Sequence, residues 1–214
     1  MKAIYFTFML IIVILSLFTG CGDLGVNRTI QLADGERHQG ELNSVNGEII
    51  IGRKCEVTGS CRSVNGGIEI KDSATVHDLV AINGSISVAA GVQILGEVTT
   101  VNGTIDCQKG VVVKEELSTI NGDINLNNTT VKDDVQTVNG DITLQSESVI
   151  EGDVVIRTRH GFSNENSAIH IVVGDNSVVK GDIINRDESR RVKVILSGGG
   201  QVLGSVQQAD IIQE

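Results

Sequence analysis

Proline and tryptophan are missing from this 214-residue chain, and its aromatics amount to one Tyr and four Phe. A chain without proline keeps every backbone N–H as a donor, which a sheet-built fold needs throughout. The scarcity of aromatics removes the stacking platforms on which carbohydrate sites commonly rely. No C-x-x-C pair is present, so a cysteine-built metal site is not expected. The four histidines, His38, His77, His160 and His170, are scattered and share no second ligand at close spacing. Neither a metal nor a cofactor is expected. Basic charge is also short: 17 Lys and Arg face 27 Asp and Glu, for a net charge of −10. Such a surface repels phosphate backbones and excludes nucleic acid as a partner.

What the chain does have is a repeat. Asn27, Asn46, Asn65, Asn83, Asn102, Asn121 and Asn139 follow one another at gaps of 19, 19, 18, 19, 19 and 18 residues. All but Asn27 precede a glycine. A fixed period of this length marks a solenoid. With each Asn as position zero, apolar columns run along +3 (Ile30 to Ile142), +5 (Leu32 to Leu144), −1 (Val45 to Val138) and −4 (Leu42 to Val135). Weaker columns lie at +9 (Cys55, Ala74, Val92, Val111) and +11 (Val57, Val76, Ile94, Val113).

Apolar residues two apart with polar residues between them give the period of a half-buried strand. No helical stripe is sustained in the array. The alternation breaks at Asn-Gly, near +7 and at +13, which gives three turn zones and a triangular coil. Asn and Gly tolerate positive φ, and that property predicts a corner at each Asn-Gly pair. Such pairs also mark hairpins, but hairpins mirror their columns about the turn. Here the columns return in the same order, so parallel stacking is expected. The fold class is all-β: a right-handed, single-stranded parallel β-helix of about nine coils of 18–19 residues. The period continues in weaker form through Val179-Lys180-Gly181 and Val202-Leu203-Gly204, with insertions near residues 157–167 and 185–191.

Residues 1–20 read as a segment to be removed. Lys2 is followed by an apolar stretch and by Leu17-Phe18-Thr19-Gly20-Cys21. This resembles a bacterial lipoprotein signal peptide with Cys21 as the lipidated first residue. An ordinary secretory signal and an uncleaved anchor are the other readings, and the stretch is short for an anchor. Gly22 rather than Asp follows the cysteine, so outer-membrane sorting is the expectation, with residues 21–26 as a tether and 27–214 as the β-helix. Without residues 1–20 the charge becomes −11 and Phe162 is the only aromatic.

Cys55, Cys61 and Cys107 fall on core columns and read as small buried side chains. Cys55 and Cys61 share a coil, and an oxidising envelope would permit a disulfide between them. Asp123 and Asp141 share the +2 column and are the one carboxylate pair to weigh for catalysis. They read as surface charges that keep a rod soluble. The −2 column (Ser44, Ser63, Ala81, Thr100, Thr119, Thr137) reads as exposed strand surface, by β propensity. His160 and Phe162 lie in the first insertion, where a binding loop would sit.

The apolar-x-Gly-x-apolar steps Ile150-Glu151-Gly152-Asp153-Val154 and Val179-Lys180-Gly181-Asp182-Ile183 resemble those of the bactofilin, or polymer-forming cytoskeletal, family. The resemblance spans roughly residues 27–212. It implies a β-helical core and a self-assembling role, and it supplies no catalytic residue. The Asn-Gly regularity and the exported, lipidated N-terminus depart from that family, whose members act in the cytoplasm. The expected function is therefore a non-catalytic envelope lipoprotein with a scaffold role. The alternatives are a polysaccharide-active β-helix enzyme and a surface adhesin or protein-binding module. The expected partners are the membrane, through the lipid, and a second copy, through the C-terminal coil with Val202, Leu203, Val206, Ile211 and Ile212.

Overall fold

The computed structural model describes residues 23–158 and 168–214, and it is β-structure throughout. The strands fall into three sheets of ten, ten and nine strands. In each sheet, neighbouring strands are three apart in chain order and parallel. That pattern is a β-helix with three faces and excludes the hairpin meander. Nine coils are complete and a tenth contributes strands to two faces. At ~4.8 Å per strand step the stack is about 43 Å long.

We label the faces A, B and C in chain order. Coil 5 shows the plan: Val98–Asn102 lies in sheet A, Ile105–Cys107 in sheet B and Val112–Val113 in sheet C. Register is strict. Ile86, Ile105, Ile124 and Ile142 stand directly on one another, and so do Leu79, Val98, Leu117 and Val135. These residues are fully buried. The expected −4, +3, +5, +9 and +11 columns are thus the core, one ladder per column.

Four expectations change. The strand Asp23–Val26 pairs in parallel with Leu42–Val45, so residues 23–26 are not a tether but the first strand of sheet A. Gly25 is its inward residue, and a Cβ there would lie 2.9 Å from Ile30 Cγ1. A small residue was needed, and its lack of hydrophobicity hid the strand.

The −2 column is buried, not exposed: Ser44, Ser63, Ala81, Thr100, Thr119 and Thr137 are all at or below 3% exposure. The −1 valines and isoleucines are correspondingly the outward residues, and they are half-buried. Strand alternation leaves no other choice once −4 points inward.

Positive φ occurs at four of the repeat-asparagine corners, through Asn27, Asn46, Gly122 and Gly140, but it recurs more regularly at a different corner. Lys54, Ser73, Gly91, Gly110 and Asn128, all between sheets B and C, have φ of 56, 59, 71, 78 and 46°. Among the repeat asparagines only Asn27 and Asn46 have positive φ, at 54 and 59°. Finally, the second insertion begins one residue later than expected, since Ile183–Asn185 is a strand.

Candidate functional site

The Asn-Gly corner carries three interlocked devices. First, the asparagines form a ladder. Nδ2 of Asn46 donates to Oδ1 of Asn27 at 2.9 Å, and the same bond recurs from Asn65 to Asn46 (2.7 Å) and from Asn83 to Asn65 (2.9 Å). It continues from Asn102 to Asn83 (2.8 Å), Asn121 to Asn102 (2.9 Å) and Asn139 to Asn121 (3.5 Å). Every donor points toward the N-terminal end, so the amide dipoles add and leave an oxygen at the far end. Arg190 meets that oxygen: its Nη1 donates to Asn139 Oδ1 at 2.8 Å and to the Val138 carbonyl at 3.2 Å. A cation on the negative end of an aligned dipole row is a charge-assisted cap.

Second, the glycines stack against backbone. A Cβ at Gly103 would lie 2.2 Å from the Gly84 carbonyl oxygen, and one at Gly122 would lie 2.0 Å from that of Gly103. Glycine is required for close approach. Third, the inward hydroxyls satisfy the turn carbonyls: Ser44 Oγ donates to Gly47 O at 2.8 Å, Ser63 Oγ to Gly47 O at 3.1 Å and Thr100 Oγ1 to Gly84 O at 3.0 Å. Buried hydroxyls and carbonyls are tolerated only in such pairs. Thr137 Oγ1 is the member without a partner, in the last of the seven coils.

The carboxylates are occupied in the same way. Asp123 Oδ1 accepts the Asp141 N–H at 2.9 Å, and Asp141 Oδ1 accepts the His170 N–H at 2.8 Å. The pair weighed for catalysis thus forms rungs between coils. Together with Gly140, Ala168 and His170 it borders an open depression of about 460 Å³. His170 Nδ1 lies 3.5 Å from Asp141 Oδ2. A second depression, about 350 Å³, lies on the outer side of sheet B beside Glu48, Glu69 and Ser87.

A column of acids runs along the corner between sheets C and A: Glu41, Asp78, Glu97, Glu116, Asp134 and Asp153, each one residue before its sheet A strand. Asp78 is the best satisfied. It accepts from Ser60 Oγ at 2.8 Å and from the Glu97 N–H at 3.2 Å, and it lies 2.9 Å from His77 Nδ1. Burial raises its carboxyl, but these hydrogen bonds and His77 outweigh it and set the group below the usual range. Glu97 moves the other way: partial burial, then the charges of Asp78, Glu116 and Glu115, push it up.

No protein-family model, curated protein or solved structure matches this chain. The site reading therefore rests on the geometry. Cys55, Cys61 and Cys107 are buried free thiols, so the Cys55–Cys61 disulfide is not formed in the structure. Burial, followed by the Asp78 charge, pushes Cys61 up to about 12, and burial with Asp106 does the same to Cys107. Thiols so far from ionisation are poor nucleophiles and poor ligands. Among the described residues no cluster of three or more His, Cys, Asp or Glu could hold a metal, and no helix is long and apolar enough to cross a membrane. Cys21, His160 and Phe162 lie outside the described residues.

The two ends of the rod differ. At the N-terminal end His38 takes the inward place that Val57 holds one coil later, and its Nε2 is buried without a hydrogen-bond partner. At the C-terminal end the inward column residues Val202, Val206 and Ile211 lie in the last described strand of each sheet, and Ile211 is 54% exposed. Leu203 beside them is 63% exposed.

Proposed function

We propose that this chain is a non-catalytic, lipid-anchored scaffold of the bacterial envelope. It is a β-helical rod attached at its N-terminal coil and open to assembly at its C-terminal coil. The observation that carries the reading is the employment of its carboxylates: Asp34, Asp78, Asp123, Asp134, Asp141 and Asp153 each accept a backbone N–H from the following coil. Groups that hold coils together are poorly placed to exchange protons with a substrate. Anchoring is supported by Cys21 at the end of a lipoprotein-type segment. The first strand begins at Asp23, so the rod would sit on an outer membrane with almost no slack. Self-association is supported by the open C-terminal coil, whose free backbone groups and apolar residues are a template for another layer. The resemblance to bactofilins points the same way.

Cys21→Ser should abolish lipid labelling and move the protein out of the membrane fraction with its β-sheet signal intact. Unchanged processing and fractionation would remove the anchor. Electron microscopy of the purified chain should show rods joined at their ends, and Val206→Lys with Ile211→Lys should abolish those end joints. A second reading, an adhesin or protein-binding module, is favoured by the uncharged outward face of sheet A. Wild-type rods that stay single at high concentration would make it the better account. A polysaccharide-active enzyme would place its chemistry at Asp123, Asp141 and His170, and Asp123→Asn with Asp141→Asn leaves the scaffold role unchanged.

A further inference from the structure

The outward side of sheet A is unlike the other two. Its −1 column presents Val45, Val64, Ile82, Val101, Ile120 and Val138, one per coil, and each is covered only in part by its neighbours in the ladder. The outward −3 residues beside them are Val80, Thr99 and Ser118 in the middle of the rod. Arg62 is the one charged residue in these two columns from coil 1 to coil 7, and it is drawn to the edge by Glu41 at 2.9 Å; in coil 8 Arg157 takes the −1 place. A continuous, uncharged, β-branched surface of this length is unusual on an acidic rod.

We propose that this face is the docking surface for a second copy of the chain, with the two rods side by side and parallel. Two arguments select the occupant. The first is area. Sheet A strands of three to five residues at ~3.3 Å each, stacked over the six steps of ~4.8 Å in coils 1–7, give an uncharged face of roughly 400 Å². A stable pair buries about 800 Å² per partner, so the face supplies the apolar core of such a contact and the flanking acid and amide columns supply its rim. Packed sheets lie ~10 Å apart with their strands nearly aligned, which suits two such ladders.

The second is charge, and it also fixes the orientation. The face is bordered on one side by the acid column with Asp78, Glu97 and Glu116 and on the other by the asparagine ladder. If the two-fold axis runs along the rods, each acid edge faces the partner's amide edge. If it runs across them, acid faces acid. Each ladder amide uses one Nδ2 hydrogen along the rod, and planar amide geometry turns the second across it. The donors and the carboxylates then repeat at the same strand spacing. The parallel pair is complementary, and the antiparallel pair repels itself. An anionic lipid surface would meet the same acid column and be repelled. The inference does not rest on the lipid anchor or on the C-terminal contact.

Native mass spectrometry of the full chain from mild detergent should read twice the chain mass, or four times it where two pairs also join at their ends. Val101→Lys with Ile120→Lys, both outward, should halve it while circular dichroism stays unchanged. A monomeric wild type, or a variant whose mass is not halved, overturns the proposal. Val206→Lys with Ile211→Lys should remain dimeric. If that variant is monomeric and the sheet A variant is not, the contact lies at the rod end and the lateral face is wrong. Orientation is read with Leu24→Cys, which is 44% exposed at the N-terminal end of the same face. A short bismaleimide should join two such chains in the dimer, with the parent chain as control. Antiparallel or end-to-end rods would hold the two thiols at least ~40 Å apart and give no product, which overturns the parallel arrangement.

Discussion

Coils 1 to 7 and coils 8 to 10 share a core but not a corner. The inward ladders run through both parts: Val135 is followed by Val154 and Ile183, and Ile142 by Ile171 and Val194, all fully buried. The asparagine ladder, the stacked Asn-Gly glycines and the inward hydroxyls of sheet A stop at coil 7. In coils 8 and 9 more residues separate the sheet A and sheet B strands, and in coil 9 Arg190 returns to close the ladder. The corner apparatus is therefore not needed to make a coil. Hydrophobic ladders make coils, and the corner lets the chain turn tightly with its polar groups satisfied. Where the corner is dropped, longer connections take over.

The largest effect should come from attacking what both parts share. Ile105→Asp buries an unpaired charge in the centre of the stack and should cost about 4 kcal/mol or more. Asp106→Asn, one residue away and outward, should change stability by no more than ~0.5 kcal/mol. Equal melting shifts would contradict the assignment of faces. Next comes the corner of the regular part. Gly103→Ala forces backbone apart and should cost about 2–4 kcal/mol. Gly110→Ala, with φ of 78° but only ordinary contacts at 3.7 Å, should cost about 1 kcal/mol. If urea midpoints rank these two the other way, the stacked-carbonyl argument is wrong.

The junction is the third target. Arg190→Met keeps the apolar stem and removes the cap on the ladder, for a loss of about 2 kcal/mol. Hydrogen exchange should locate that loss in coils 7 to 9, and uniform loosening of the rod would contradict a local cap.

The smallest effect depends on pH. Ionised Glu97 opposes folding because its folded pKa is raised. Its favourable contribution is present at pH below the ordinary carboxylate range and is lost as pH rises through the raised value. Glu97→Gln should therefore stabilise the fold slightly at pH 7, by less than ~1 kcal/mol after screening, with a correspondingly higher melting temperature, and do nothing at pH 3. Asp78→Asn should do the reverse. The lowered Asp78 contributes stability above the ordinary carboxylate range and loses it as pH falls through its depressed value.

Period, parallel stacking and most of the core were legible because each coil repeats the same inward pattern. The errors share one origin, which is reading hydropathy before alternation. Val45 and its equivalents are apolar and read as one of the apolar columns, while Ser44 and its equivalents carry a hydroxyl and read as exposed surface. From Leu42 inward, period two places Ser44 inward and Val45 outward. The hydroxyls are at home inside because the Gly47 and Gly84 carbonyls sit there too, and no property of serine alone reveals that. The strand at Asp23–Val26 was missed because its inward residue is glycine. The Arg190 cap joins residues 51 apart and left no periodic trace.

The Asn-Gly ladder also sets a chemical clock. Asn-Gly is the peptide link most prone to deamidation, because an unhindered glycine nitrogen can attack the asparagine side chain. In the folded rod that nitrogen is engaged elsewhere: the N–H of Gly84, Gly103 and Gly122 donates to the Asn102, Asn121 and Asn139 carbonyls. Folding thus protects these three links, and unfolding exposes all six together. Each converted side chain would return as an acid facing an acceptor, unable to rebuild its rung. Mass spectrometry of chains held unfolded, then refolded, should show recovery falling as deamidation rises. The rod would be durable while it stays wound and progressively irreparable once it is not.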